Sequence, residues 1–491
     1  MKQLQLQKKF PFIAKLQKKF PQAEIFLVGG IVRDTILKRA TKDYDFVIRN
    51  VPTKKLQAFL AKEGRVDLVG KNFGVFKFIP HSLKFTVQSS QSIEPIDIAL
   101  PRTEHALLTG GYRDFDVQSD PYLRISKDLA RRDFTINAMA YDIFNKKLID
   151  EFDGEKDIKN KIIRTVGRPS ERFKEDYSRM LRALRFACQL GFIIEKQTFS
   201  ALKKLALHIN DKKGGEYIVP RETISRELVK AFIADPARAF DLFDQSGLTK
   251  RLLPELLMMK KCPQPRNFHS EGDVWKHTRI ALLNLATKKF RKKFSDIPLS
   301  GELVLGLLFH DLGKPYTIKR ADRLRFNNHD SVGAAKARAI MERLKVSSAG
   351  VDIEKVVWLI SRHMLAVHTK HSPMKRVTLE KYFFNEQHPG RDLLRLMYAD
   401  VMASIPLAGQ PDFTDYNSLE KQYLSLKKTA RTRATLPPAL IDGHDIMRLM
   451  KIAPGRLVGD LKDLVREEQL KGKLKNKTEA IAFLKNAKKD R

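Results

Sequence analysis

EIFLVGGIVRDTILKRATKDYDFVIR, residues 24–49, reads as strand, glycine turn, helix and second strand in close succession. Ile25 to Val28 is a short apolar run with β-branched members, the composition of a buried strand. Gly29 and Gly30 then let the chain turn where a side chain would obstruct a ligand. The apolar spacing of VRDTILKR is helical, and a helix start beyond a glycine turn presents backbone N–H groups that suit an anion such as a triphosphate. Arg33 adds a forked cationic donor there. Alternate residues of a strand face one side, so Asp43 and Asp45, leading into FVI, bring two carboxylates together. Such a pair suits hard divalent cations. Two ions roughly 3.5 to 4 Å apart can activate an attacking hydroxyl and steady a leaving phosphate.

The chain around this stretch has 491 residues, enough for several domains with cores of their own. Its 92 Lys and Arg against 57 Asp and Glu give a net charge of +35, which suits a polyanionic partner such as RNA or DNA. Cys188 and Cys262 are the two cysteines and form no CxxC, so neither a disulfide framework nor a structural zinc site is expected. Residues 1–23 open with basic and apolar residues but no signal-peptide core, and are expected to form a basic amphipathic helix. No run is long and apolar enough to span a bilayer, so the chain reads as intracellular.

Beyond Asp45, β-like runs at Val66 to Val69, Gly74 to Ile79, Lys84 to Gln88 and Ile96 to Leu100 predict a small mixed sheet. Asp97, on the last run, is the candidate for a third carboxylate, completing metal coordination or taking a proton from the incoming hydroxyl. Residues 103–125 are polar and glycine-containing and are expected to be a mobile loop. DLARRDFTINAMAYD, residues 128–142, offers Arg131 and Arg132 to phosphate or ribose, while Asp133 can accept from a ribose hydroxyl beside Asn137. Asp153-Gly154 marks a turn, and a boundary is expected there, with the head ending near residue 147. Residues 171–192, ERFKEDYSRMLRALRFACQLGF, have the spacing of one amphipathic helix with Met180, Leu181, Leu184 and Ala187 on its apolar side. On that helix Asp176 and Arg179 would be neighbours, either paired with each other or facing a ligand, and Arg182 and Arg185 continue the stripe.

A second constellation follows. His277 lies in GDVWKHT, His310 and Asp311 in LLFHDLGKP, His329 in FNNHDSVG, His363 in ISRHM and Asp400 in LMYADVMAS. Imidazole and carboxylate together suit a divalent transition metal, with an aspartate able to bridge a second ion. The final stretch is a basic linker and helical tail whose lysines either contact RNA backbone or are merely solvated.

LVGGIVRD with DYDFVI, then RRDFTINA, then EDYSR as an EDxxR motif, then residues 218–248, resemble the class II nucleotidyltransferases, the bacterial tRNA CCA-adding enzymes and poly(A) polymerases. The His-Asp set resembles the HD phosphohydrolase domain. The resemblance covers about residues 24 to 485 and implies an α+β chain. A mixed-sheet head over 24–147 would be followed by an all-α neck and body over 148–260, an HD domain over 261–425 and a linker with helical tail over 426–491.

It implies magnesium at Asp43 and Asp45, with Asp97 assisting, and tRNA, CTP and ATP as partners in the cytoplasm. Asp176 and Arg179 would read the base in place of a template, since a carboxylate accepts from the exocyclic amine of C and A and a guanidinium donates to ring acceptors. Arg182 and Arg185 would hold the triphosphate or position Asp176, and the loop after Asp97 would help switch between adding C and adding A. The HD domain would be a phosphatase, a 2′,3′-cyclic phosphodiesterase or a largely structural part. Lys38 departs from the family pattern by standing where Gly is usual, a change expected to touch the first helix's packing. Four activities remain open on this reading: full CCA addition, CC-only or A-only addition, poly(A) synthesis, and HD hydrolysis as the main reaction. RNA binding by an inactive head is a fifth.

Overall fold

The computed structural model describes residues 9–41, 43–69, 74–81, 95–106, 110–111, 115–367, 369–432 and 436–489. The chain divides into two compact units, one ending at Leu253 and one beginning at Pro254.

The first unit is built on β1 (Glu24–Val28), β2 (Asp45–Arg49), β3 (Gly64–Val69), β4 (Val75–Pro80), β5 (Ile96–Ala99), β8 (Ala140–Asp142) and β9 (Lys147–Ile149). They form one seven-stranded sheet in the order β3-β4-β5-β2-β1-β8-β9. β2 and β5 pair in parallel while the others pair antiparallel, so the sheet is mixed as expected. The parallel register sets Asp45 opposite Asp97. The run at Lys84 to Gln88 lies outside the described residues.

Two expectations for this unit change, on residues 103–125 and on the neck. Residues 103–125 are not simply a loop, because β6 (Arg102–Ala106) and β7 (Phe115–Ser119) pair antiparallel in a hairpin. The expected N-terminal amphipathic helix forms over Pro11–Lys19. It buries Phe12, Ile13 and Leu16 completely or nearly so, each burial contributing about 1.5–3 kcal/mol. Phe10 adds an edge contact to Tyr44, the residue between the two acids, at 4.9 Å.

The neck, finally, is two helices rather than one: Pro169–Glu175 and Ser178–Leu190. Asp176 between them is extended, at φ −155° and ψ 104°. Its carboxylate accepts the Ser178 N–H at 2.8 Å, and the Tyr177 N–H donates to the Gly110 carbonyl at 3.0 Å instead of to a helical partner. Side-chain acceptance of this kind competes with the helix ladder and ends it. Asp176 and Arg179 are therefore not neighbours on one helix. Helix Arg221–Ala234 packs against Ser178–Leu190 and closes the body.

The second unit is helical, with helices Val274–Asn284, Gly301–Phe309, His329–Arg343, Ile353–Arg362 and Gly390–Ala403 around one centre. Helix Thr414–Thr432 runs on past residue 426, where the basic linker was expected to begin. The tail has a core of its own from Ile441, Ile446, Val458, Leu461, Val465 and Leu484. No helix among the described residues is long and apolar enough to cross a membrane.

Candidate functional site

In the first unit, a cleft of about 810 Å³ is lined by Gly29, Gly30, Arg33, Asp43, Asp45, Arg131, Arg132, Asp133, Asn137, Asp176, Arg179, Arg182 and Arg185. The sheet register puts Asp97 beside Asp45, and Lys77 donates to Asp97 at 2.7 Å. Burial, then the charges of Asp43 and Asp97, push Asp45 up to about 6. Carboxylates crowded so that one resists ionising form a set that a divalent cation relieves.

The motif arginines are fixed in advance. Asp128, fully buried, accepts from Arg131 at 2.7 and 3.0 Å and from Arg132 at 3.2 Å. The buried Arg132 Nε has no hydrogen-bond partner among the described residues. Its guanidinium lies so close to Gly29 that a Cβ there would sit 2.7 Å from Arg132 Nη1, and Gly29 itself has φ +73°. This is why the turn needs glycine.

Arg33 donates to Asn137 at 2.7 Å and to Asp34, Asn137 donates to Asp133 at 3.3 Å, and Asp133 accepts from Arg182 at 2.7 Å. The other Asp133 oxygen also takes the Phe134 N–H, and this residue, expected to face a ribose hydroxyl, lines the cleft while anchoring Arg182. Burial opposes the Asp133 charge, but Arg182 beside it holds the carboxyl at about 2. Burial pushes the Asp176 carboxyl up, against the Ser178 hydrogen bond and the Arg179 charge. Arg179 bonds to Glu175 at 2.5 Å and to the Arg172 carbonyl at 3.1 Å. Arg185 bonds to Glu227 at 2.6 Å, and Arg33, Arg182 and Arg185 lie 5.2, 5.5 and 4.1 Å from the Phe186 ring.

The sequence reading missed the anchors Asp34, Asp128, Glu175 and Glu227. Asp128 could have been found, because its spacing to Arg131 and Arg132 is that of successive turns on one helix face. Glu227 had no local signal, its partner being 42 residues away.

In the second unit the expected set does come together. His277 Nε2 lies 2.9 Å from Asp400 and 3.4 Å from His310 Nε2, while His329 Nε2 lies 3.2 Å from His363 Nε2. Asp311 reaches both groups, with one oxygen 3.4 Å from His310 and the other 3.5 Å from His329. The Nδ1 atoms of His310, His329 and His363 each face the carbonyl three residues earlier, at Leu307, Phe326 and Ile360. A carbonyl only accepts, so Nδ1 carries the proton and Nε2 turns inward as a ligand atom. His277 is oriented likewise by Glu271, at 2.8 Å. Burial opposes charge on His310, yet Asp311 and Asp400 raise it to about 10, and burial with the His310 charge lowers His363 to about 4. The clusters His277, His310, Asp400 and Asp311, His329, His363 are each compact enough for one ion, and Asp311 lies between them. Glu271 and Lys314, the latter 2.7 Å from Asp311, were not anticipated.

Residues 25–164 match the Poly A polymerase head domain family, 191–259 the family described as probable RNA and SrmB-binding site of polymerase A, and 282–403 the HD domain family. His277 lies ahead of that last segment. The Multifunctional CCA protein of Alkalilimnicola ehrlichii is 31% identical over 79% of this chain and 86% of its own length. The chain belongs to the multifunctional CCA protein family. A second multifunctional CCA protein, from Neisseria meningitidis, is 30% identical over 88% of this chain and 96% of its own length. Membership bears out the resemblance to class II nucleotidyltransferases with an HD domain, and the chain is a nucleotidyltransferase. The fold is also that of the Bacillus stearothermophilus CCA-adding enzyme solved with CTP, at TM-score 0.63 and 20% identity over 99% of this chain and 98% of that one. The Thermotoga maritima CCA-adding enzyme, solved with tRNA, gives TM-score 0.58 at 19% identity over 98% and 95%.

Proposed function

We propose that the cleft of the first unit adds and repairs the 3′-terminal CCA of tRNA from CTP and ATP, releasing pyrophosphate. One observation carries this: crowded carboxylates at Asp43 and Asp45 share a single cleft with a buried Asp176 and a pre-anchored Arg179. The RNA 3′ hydroxyl gives its proton to Asp97, beside Asp45, or to solvent as its oxygen bonds to the α-phosphorus and the bond from that phosphorus to the pyrophosphate oxygen breaks. Magnesium held by Asp43 and Asp45 would supply activation of that oxygen and neutralisation of the leaving group. Arg132, with its unpartnered Nε, Arg131 and Arg33 face the phosphates across the glycine turn, and Asp133 keeps Arg182 aimed into the cleft. Asp176 accepts from the exocyclic amine common to C and A, and Arg179 donates to ring acceptors; U and G offer a carbonyl where the amine should be. From action on tRNA we infer a cytoplasmic location.

The test uses purified protein, magnesium and one tRNA lacking CCA, CA or A, with each nucleoside triphosphate alone and CTP with ATP together. The expected result is growth that stops at CCA and refuses UTP and GTP. Long A tails would make the chain a poly(A) polymerase, and arrest after CC, or extension by A alone, would make it a partial adder.

A second activity, phosphoester hydrolysis by the HD cluster, is supported by the inward Nε2 atoms and the shared Asp311. A bound divalent transition metal would supply an activated water there. Loss of phosphatase or 2′,3′-cyclic phosphodiesterase turnover in His310→Ala, with nucleotide addition intact, is the expected outcome.

A further inference from the structure

The cleft has a wall that the motifs do not account for. Thr223, Arg226, Glu227 and Lys230 of helix Arg221–Ala234 line it, and their spacing places them on one helical face. Glu227 is buried in its bond to Arg185, whereas Arg226 and Lys230 on either side of it are exposed. Among the other cleft cations, Arg33 has Asp34, Arg131 and Arg132 have Asp128, Arg179 has Glu175, Arg182 has Asp133 and Arg185 has Glu227. Neither Arg226 nor Lys230 has a carboxylate partner among the described residues; Arg226 Nε donates to the Glu222 carbonyl at 3.2 Å.

Their place along the cleft identifies what they would meet. The neck helix carries Arg179 near its start and Arg185 six residues later, about 9 Å further along the axis. Arg185 shares Phe186 with Arg33, which stands next to the glycine turn. The Glu227 bond puts Arg226 and Lys230 at that far end, away from Asp176. We infer that Arg226 and Lys230 hold the terminal phosphates of the incoming nucleotide and the pyrophosphate it becomes, as specificity residues for the triphosphate over shorter nucleotides. The inference rests on reading this cleft as the nucleotide-transfer site.

The experiment compares magnesium-dependent binding of ATP and AMP, inhibition by pyrophosphate, and the KM for tRNA lacking CCA. It uses the full chain, Arg226→Ala with Lys230→Ala, and Lys230→Arg. The double variant should bind ATP about tenfold or more weakly, the scale of one lost charge-assisted hydrogen bond, and need correspondingly more pyrophosphate for inhibition. AMP binding, the KM for tRNA and the thermal midpoint should not move, and Lys230→Arg should bind ATP as the parent does. Equal weakening of ATP and AMP overturns the inference. So does a raised KM for tRNA with ATP binding unchanged, which would assign the two cations to the RNA strand. A parent chain that binds ATP and variants that bind it equally well defeat the inference alone; a parent that binds neither ATP nor CTP defeats the transfer reading with it.

Discussion

The cleft and the HD cluster both gather acids for divalent cations, but they are prepared in opposite ways. In the cleft the motif and neck arginines Arg33, Arg131, Arg132, Arg179, Arg182 and Arg185 are paired beforehand with Asp34, Asp128, Asp133, Glu175 and Glu227, and the crowded carboxylates are left to repel one another. In the cluster backbone carbonyls and Glu271 fix the imidazoles, and each carboxylate already faces a histidine. The first arrangement positions cations rigidly for a polyanion and waits for hard metal ions to arrive with it. The second is a buried cage of nitrogen and carboxylate ligands, suited to a resident transition metal.

The largest effects should separate the two sites. Asp43→Asn with Asp45→Asn should lower nucleotide transfer by about a thousandfold or more, and leave the metal content of the second unit unchanged. His310→Ala with Asp311→Asn should strip that metal, by elemental analysis, and leave transfer intact. Cross-effects in either direction would break the comparison. A glycine in each region sharpens it. A Cβ on Gly313 would lie 1.9 Å from the His329 carbonyl oxygen, so Gly313→Ala should cost about 1–3 kcal/mol in denaturant unfolding and displace a ligand helix. Gly29→Ala would push on the anchored Arg132 guanidinium and place a Cβ at φ +73° and ψ −128°, so it should cost about 1–3 kcal/mol of strain and raise the KM for nucleotide.

The crowding at Asp45 has a pH signature. Its folded pKa of about 6 lies above the ordinary 3.8, so the folded state holds the proton more tightly. The resulting cost is absent below the ordinary value and complete above about 6, and metal-free stability falls as pH rises between them. Asp45→Asn should therefore have the higher thermal midpoint in EDTA at alkaline pH, lose that advantage in acid, and gain nothing from magnesium that raises the parent's midpoint.

The smallest effect concerns Lys38, which has φ +55°. Helix Gly30–Ile36 ends before it, and the Lys38 and Arg39 N–H groups donate to Thr35 and Asp34 in a Schellman-type cap. Lys38 thus occupies the left-handed position after the helix rather than a place within it. Lys38→Gly should stabilise the chain by about 1 kcal/mol, or about 2–4 °C in thermal midpoint.

Lys38 also shows where the sequence stops being legible. The strand, turn and acids of residues 24–49 could be read because their signals are local: a period of two, glycines, and a short apolar run. The HD ligands were legible because the adjacent His310-Asp311 pair on an apolar run, with His277, His329, His363 and Asp400 around it, resembles the HD domain. What failed depended on distant partners. The apolar period through Met180 and Leu184 continues a helix across Asp176 on paper, and the break shows only once the Asp176 carboxylate has taken the Ser178 N–H and the Tyr177 N–H has gone to the Gly110 carbonyl, far away in sequence. The hairpin at Arg102–Ala106 and Phe115–Ser119 is too polar for strand signals, and Glu227 reveals its role only once it meets Arg185.

On the proposed function, protein side chains and not a template choose the base in the cleft. The direct measurement is the ratio of kcat/KM for CTP over UTP, on tRNA lacking CCA, in the parent chain and in Asp176→Ala and Arg179→Ala. The ratio should fall by about ten- to a hundredfold in each variant while transfer continues, the discrimination that one base-edge contact supplies. An unchanged ratio in both variants would contradict base selection by Asp176 and Arg179.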